Sequence, residues 1–229
     1  MRRLREPELM DDPALPAAEH GSALRALDRI NGLLGMDRRR IRALRQFGDL
    51  AQLSVLDVGA GGGGFLGRLH RSNRNGATPR RIGLDRAEFA VADARRRQPA
   101  GLEFVVGDAL AIPLASDAVD VCTCALFLHH FDETDVVRIL REMGRVARRG
   151  LVISDLERST LAWAGTWAAT RALSRSRVFH TDGPRSVRAA FRASELRAIA
   201  EQAGLQGARV QRVFPFHMLL TWIKAGRTP

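Results

Sequence analysis

Cysteine is nearly missing from this chain: Cys122 and Cys124 are the only two among 229 residues. They form neither a CxxC redox pair nor part of a metal cluster, which excludes a disulfide framework and a cysteine-bound metal. Lying two apart on a predicted strand, they share one face of a sheet, where small buried hydrophobes are expected and reactive thiols are the alternative. Long uncharged hydrophobic runs are missing too. None reaches the ~18 residues that a bilayer-spanning helix needs, and the opening MRRLREPELMDD lacks the apolar core of a secretion signal. A cytoplasmic setting is expected, with no membrane span.

Lysine is scarcer still, Lys224 being the only one, so arginine supplies almost all of a net charge of +11. Such charge raises the possibility of a nucleic-acid partner. Against it, the arginines are spread over several predicted helices (Arg38 to Arg40, Arg95 to Arg97, Arg145, Arg148, Arg149) among abundant alanine, a pattern read here as a solvated face. Internal repeats and low-complexity segments are also lacking. The length suits one α/β domain with a small cap.

What is present centres on Leu53–Leu69, LSVLDVGAGGGGFLGRL. A short aliphatic run breaks into glycines, and an apolar helical pattern (Phe65, Leu66, Leu69) follows: strand, glycine turn, helix. Glycine permits positive φ and close approach to the backbone, and the helix aims free amides at whatever sits on the loop. Gly59, Gly61 and Gly64 satisfy GxGxxG, whereas Asp57, Gly59, Gly61 and Gly63 satisfy DxGxGxG. The carboxylate of Asp57 would repel a pyrophosphate but favour a ligand with ammonium and sulfonium groups, such as S-adenosylmethionine.

Further motifs follow in order: LDRAE ending a second strand at Asp85, GDALAIPL after a third strand Leu102–Val106, and ALFLHHF ending a fourth strand Val119–Ala125. Together with DVGAGGGG, these resemble the class I S-adenosylmethionine-dependent methyltransferases, in particular the type 11 small-molecule group, over roughly residues 50 to 223. The resemblance implies an α/β fold: a doubly wound, seven-stranded, mostly parallel Rossmann-like sheet. N-terminal helices and a small helical cap after strand 5 would accompany it. It also implies that Asp57, Gly59, Ala60, Gly61, Gly63, Asp85, Arg86, Asp108, Ala109 and Leu126 line the cofactor, with S-adenosylhomocysteine as product and no metal expected. Asp85 would grip ribose hydroxyls, with helix capping as its alternative. Asp108 would accept from the adenine amino group and the Ala109 amide would face the ring; a cap is again the alternative for Asp108.

Four segments are expected: 1–50 as an arm and helices closing the cofactor pocket, 51–156 as the cofactor half, 157–192 as the cap, and 193–229 as a last helix and antiparallel strand pair. Two helices are predicted before the first strand, from stripes at Leu24–Leu34 and at Ile41, Leu44, Phe47 and Leu50. The cap carries Trp163 and Trp167 on one helical face, suited to a flat apolar acceptor or to packing, then a loop VFHTDGP with His180, Asp182 and Arg185 as further acceptor contacts. His129 and His130, at a strand end, are candidates for taking the acceptor's proton, as is His180; packing is the alternative. Metal assistance is not expected, because Asp155 has no acid or histidine at ligand spacing. The reading is methyl transfer to a small apolar or aromatic acceptor, most plainly O-methylation of a phenol, by a monomer or homodimer. The rivals are an RNA or other nucleic-acid methyltransferase, which would want a (D/N)PP(Y/F) motif that is missing, and a non-catalytic protein on the same fold.

Overall fold

The computed structural model describes residues 1–11, 32, 35–72, 79–173 and 176–225. The predicted helix over Leu24–Leu34 and most of the SNRNGATP connection lie outside the described residues. Helix α1 (Met36–Leu44) leads into β1 (Val55–Val58), α2 (Gly64–Arg71), β2 (Arg81–Asp85), α3 (Glu88–Arg97), β3 (Leu102–Val106), β4 (Val119–Ala125), α4 (Glu133–Val146) and β5 (Ala147–Leu156). Helices α5 (Thr160–Leu173), α6 (Arg177–Ala189) and α7 (Ala193–Gln202) come next, and β6 (Arg209–Val213) and β7 (His217–Ile223) close the chain.

The seven strands make one sheet in the order β3-β2-β1-β4-β5-β7-β6. The first five pair in parallel, and β7 runs antiparallel to both β5 and β6. Strands β1 and β4 are buried on both faces, and their few polar residues, Asp57, Asp120 and Thr123, are buried with the aliphatic ones. Leu56, Ile82, Cys122 and Cys124 pack with Ile139, Met143, Leu196 and Ile199 on one face. Val55, Val121 and Val152 pack with Leu44, Phe65, Leu66 and Val91 on the other. Both cysteines are free, and burial pushes both thiols well above their ordinary pKa, in keeping with a packing role.

Three expectations about local structure need correction. The segment VFHTDGP is not a loop but most of α6, with Pro184 inside the helix. Its turn-forming residues are overruled by packing: Val178, Phe179 and Val187 are buried, and the Asp182 side chain accepts from the Leu9 and Met10 amides, 2.8 and 3.0 Å away. The sequence also leads one to expect a helix over Asp132–Ala147 ended by Gly150 and a fifth strand over Leu151–Ser154, but strand β5 begins at Ala147, directly after α4, and Gly150 lies within it. A Cβ at Gly150 would stand 2.0 Å from the Trp222 carbonyl oxygen, so glycine there admits β7 alongside. The third correction concerns His129 and His130, which sit on a 3-10 turn, Leu128–His130, and not on strand β4.

Nor do the arginines form a solvated face throughout. Arg40, Arg81 and Arg158 are buried. Arg145 donates to the Leu114 and Ile112 carbonyls as well as to Glu142, and Arg148 and Arg149 both pair with Asp120. Much of the positive charge therefore holds connections between strands and helices. Among the described residues, no helix is long and apolar enough to cross a membrane.

Candidate active site

In a doubly wound sheet, ligands lie beyond the carboxyl ends of the strands where the order reverses, here between β1 and β4. The glycine turn is at that point. Gly59, Gly61 and Gly63 have φ of 67°, 50° and 71°, a region that L side chains rarely adopt. Gly59 is also closed over: a Cβ there would meet the Phe127 ring at 2.4 Å. The turn is tied to β2, because the Ala60 amide donates to the Leu84 carbonyl (3.0 Å) and the Gly61 amide to Asp85 Oδ2 (2.8 Å). Asp85 Oδ1 accepts from the Ala87 amide at 2.9 Å. Asp85 therefore ends its strand by bracing both the turn and the entry to α3, whose N-cap is Ala87.

Asp57 is buried beneath the turn. It accepts from Thr123 Oγ1 at 2.6 Å and from Arg40 Nη2. Burial pushes the Asp57 carboxyl up, against the pull of Arg40 and Thr123. The positive charge expected to come from a ligand's ammonium is thus supplied by Arg40, which also lies 3.6 Å over the Phe65 ring. Sequence reading missed Arg40, although a signal existed: it falls four residues from Met36 and four from Leu44, both buried on the same stripe of α1.

Around the crevice, Asp108 is exposed and accepts from the Leu110 amide at 2.9 Å, while Ala109 is buried and Arg86 exposed. Leu126 takes φ of 48° and donates its amide to the Ser154 carbonyl, bending the chain out of β4. That bend brings Phe127 over Gly59 and starts the 3-10 turn carrying the histidines. Their rings lie side by side, centroids 4.3 Å apart.

His129 is only 2% exposed, and its Nδ1 lies 2.7 Å from Asp155 Oδ1 on β5. The His129 amide also donates to Asp155 Oδ2. Burial works to raise the Asp155 carboxyl, yet the His129 imidazole, the Leu156 amide and His130 together hold it below the ordinary carboxylate range. An ionised carboxylate only accepts, so Nδ1 carries the hydrogen of this contact, and Nε2 is the ring nitrogen left to take up or release a proton. The expectation that Asp155 lacks a partner is corrected: its histidine is far away in sequence and adjacent in space.

Nε2 faces Glu8, whose Oε1 is 3.8 Å away. Residues 1–11 form an arm docked on this end of the molecule. Arg3 donates to the Phe131 and Ala189 carbonyls and lies 3.8 Å over the Phe191 ring. The Leu4 amide donates to the Arg188 carbonyl, and Glu8 accepts from Ser186 Oγ at 2.6 Å. Asp182 and Arg185, expected at the acceptor, spend their side chains on the arm, Arg185 donating to the Pro7 carbonyl at 2.8 Å. His180 shares α6 with them, half-buried. Trp163 is half-buried on α5, whereas Trp167 is exposed with the Arg171 guanidinium 4.3 Å over its ring.

A family profile described as a methyltransferase domain matches residues 55–150. A demethylmenaquinone methyltransferase from Roseiflexus sp. (strain RS-1) is 32% identical over 196 residues, covering 77% of this chain and 79% of its own. The chain belongs to the class I S-adenosylmethionine-dependent methyltransferases. Solved structures agree on the fold of this methyltransferase: a SAM-dependent methyltransferase from Aquifex aeolicus has TM-score 0.62 at 24% identity, covering 88% of this chain and 97% of its own. The plantazolicin methyltransferase BpumL, in complex with SAH, has TM-score 0.71 at 14% identity, covering 93% and 91%. The cofactor of this methyltransferase is therefore S-adenosylmethionine, and the residues around the turn fit it: bare backbone, free amides at the start of α2, and carboxylates ending β2 and following β3.

The Asp155–His129 pair in the methyltransferase has a consequence for acid stability. A carboxyl held below its unfolded pKa of ~3.9 contributes stability that is complete above that value. The contribution disappears as pH falls through the lower folded value. Asp155→Asn is therefore expected to flatten the acid limb of a plot of urea midpoint against pH below ~4. A variant as acid-sensitive as the parent would remove Asp155 as a source of that slope.

Proposed function

We propose that this methyltransferase transfers a methyl group from S-adenosylmethionine to oxygen of a small apolar or aromatic acceptor, with the Asp155–His129 pair taking the acceptor's proton. The observation that carries the reading is His129 itself: buried, anchored through Nδ1 on an ionised carboxylate, and one 3-10 turn from the Phe127 ring that roofs Gly59. Sulfonium already makes the methyl labile, so the protein's work is to align the nucleophile and receive its proton. As the hydroxyl attacks, its hydrogen passes to Nε2, and the imidazolium formed is stabilised by Asp155. A relative named for methylating demethylmenaquinone and a structural neighbour named for plantazolicin support a small acceptor rather than a polymer.

Asp85, Asp108, Ala109, Leu126 and Arg86 are assigned to the cofactor, and the acceptor is placed between the histidine turn and the α5–α6 pair, with Trp163 on its apolar side. The arm and the helices at 157–192 form its cover. Incubating the protein with methyl-labelled cofactor and a mixed metabolite extract, then identifying the product that gains label, tests the assignment; label found only in RNA would replace it with the nucleic-acid reading. Calorimetry with S-adenosylhomocysteine tests Asp85. Asp85→Ala is expected to weaken binding by ~1.5–3 kcal/mol, the range for hydrogen bonds to a charged group. Unchanged affinity would restrict Asp85 to bracing the turn.

A further inference from the structure

A histidine ring nitrogen and a carboxylate oxygen face each other in a nearly closed space at the acceptor end. The side chains of His129 and Glu8 are 3% and 9% exposed, and 3.8 Å separates Nε2 from Oε1, which is too long for a hydrogen bond. His130 stands beside them, and one ligand atom from each of Glu8, His129 and His130 lies within 4.8 Å of the other two. We propose that these three residues bind one transition-metal ion, which pins residues 1–11 to the histidine turn and occupies the lone pair that His129 needs as a base. The second half of the proposal rests on the role assigned to His129 above; the first half does not.

The surroundings of the three groups are those of metal ligands. A ligating histidine ordinarily gives its other ring N–H to a carboxylate, and a ligating carboxylate is itself hydrogen-bonded. Both conditions hold here, through Asp155 Oδ1 at 2.7 Å from His129 Nδ1 and Ser186 Oγ at 2.6 Å from Glu8 Oε1. Two imidazoles with one carboxylate suit zinc, cobalt, nickel or copper and not magnesium or calcium. Tetrahedral zinc places its ligands about 3.3 Å apart, so the His129–Glu8 pair must close by about 0.5 Å and the others by at most about 1.5 Å. Side-chain rotation of Glu8 and of the histidines on their short turn allows this, and three protein ligands leave a position for water. Binding forms three coordinate bonds from existing lone pairs and changes no oxidation state; any proton on a ligand nitrogen leaves to solvent.

The test is calorimetric titration of the untagged full chain, saturated with S-adenosylhomocysteine, with zinc chloride and cobalt chloride. One equivalent is expected to bind. Glu8→Gln and His130→Asn, checked for native circular dichroism, are each expected to weaken it at least ~10-fold, and magnesium chloride is expected to give no comparable heat. Failure of zinc to bind the parent protein, unchanged binding by Glu8→Gln, or equal binding of magnesium would overturn the site. Zinc saturation should also slow methyl transfer in the parent and not in Glu8→Gln; binding without inhibition would overturn the occupation of the base. If His129→Ala keeps its turnover, the base assignment fails by itself and the zinc titration still decides the site.

Discussion

Alanine at His129 is expected to slow methyl transfer at least ~100-fold, the lower end of what general-base catalysis contributes, while S-adenosylhomocysteine binds as before. The reason is the placement of Nε2, fixed by the Nδ1 bond to Asp155. His130→Ala is expected to cost far less turnover. Strand alternation would have given the same asymmetry, but the two residues are on a 3-10 turn, and the difference comes from their environments: His129 is buried on a carboxylate and His130 is half-buried. Removing His129 also leaves Asp155 buried without its partner, so rates must be normalised to folded protein, with a stability loss of ~1–3 kcal/mol allowed for. The rate loss should shrink for a phenol already ionised at the assay pH, because no proton then needs removal. Near-parental rates in both single variants and the double variant would leave alignment as the main source of catalysis, with His180 the next residue to test.

Gly59→Ala is expected to destabilise the protein by ~2–5 kcal/mol, summing a left-handed backbone and an overpacked contact, and to abolish measurable cofactor binding. The added methyl would stand 2.4 Å from the Phe127 ring at φ of 67°. The two contributions separate in a double-mutant cycle. Phe127→Ala should relieve the contact and leave the backbone term, so the double variant should recover part of the urea midpoint but not all of it. A Gly59→Ala protein with parental midpoint and parental affinity would mean that the turn has another conformation.

Sheet strands were legible because a doubly buried parallel strand is a continuous apolar run with sharp ends. Val119–Ala125, buried almost throughout, has the limits the structure gives, and so does Leu102–Val106, a partly exposed edge strand whose ends are marked instead by Gly101 and Gly107. The positions of the glycine turn, of Asp85 ending β2 and of Asp108 following β3 were legible because each ends or follows a short aliphatic run, and parallel pairing brings those run ends to one side of the sheet. What was not legible depends on partners brought together by the fold. The helix through VFHTDGP exists because Asp182 has the arm's amides to accept from, and nothing in seven residues announces a partner near residue 10. Glu8 carries no local signal, and Asp155 meets His129 only because β4 and β5 are neighbours. Arg40 is the intermediate case: its place on a stripe with Met36 and Leu44 was visible, but an arginine on an apolar stripe was grouped with its exposed neighbours.

The position of β7 between β5 and β6 also sets the order in which this molecule can be completed during synthesis. Strands β1 to β4 can pair once residue 125 has emerged, and the glycine turn with them. The outer edge of β5 stays open until residues 217–223 emerge. Until then a row of backbone donors and acceptors is exposed, the kind of edge that recruits other chains. The arm lies ahead of α6 in the chain and must wait for it before it can dock there. A ribosome paused before residue 217 would therefore hold a nascent chain with its cofactor turn formed, its acceptor end uncovered and one strand edge available to a chaperone.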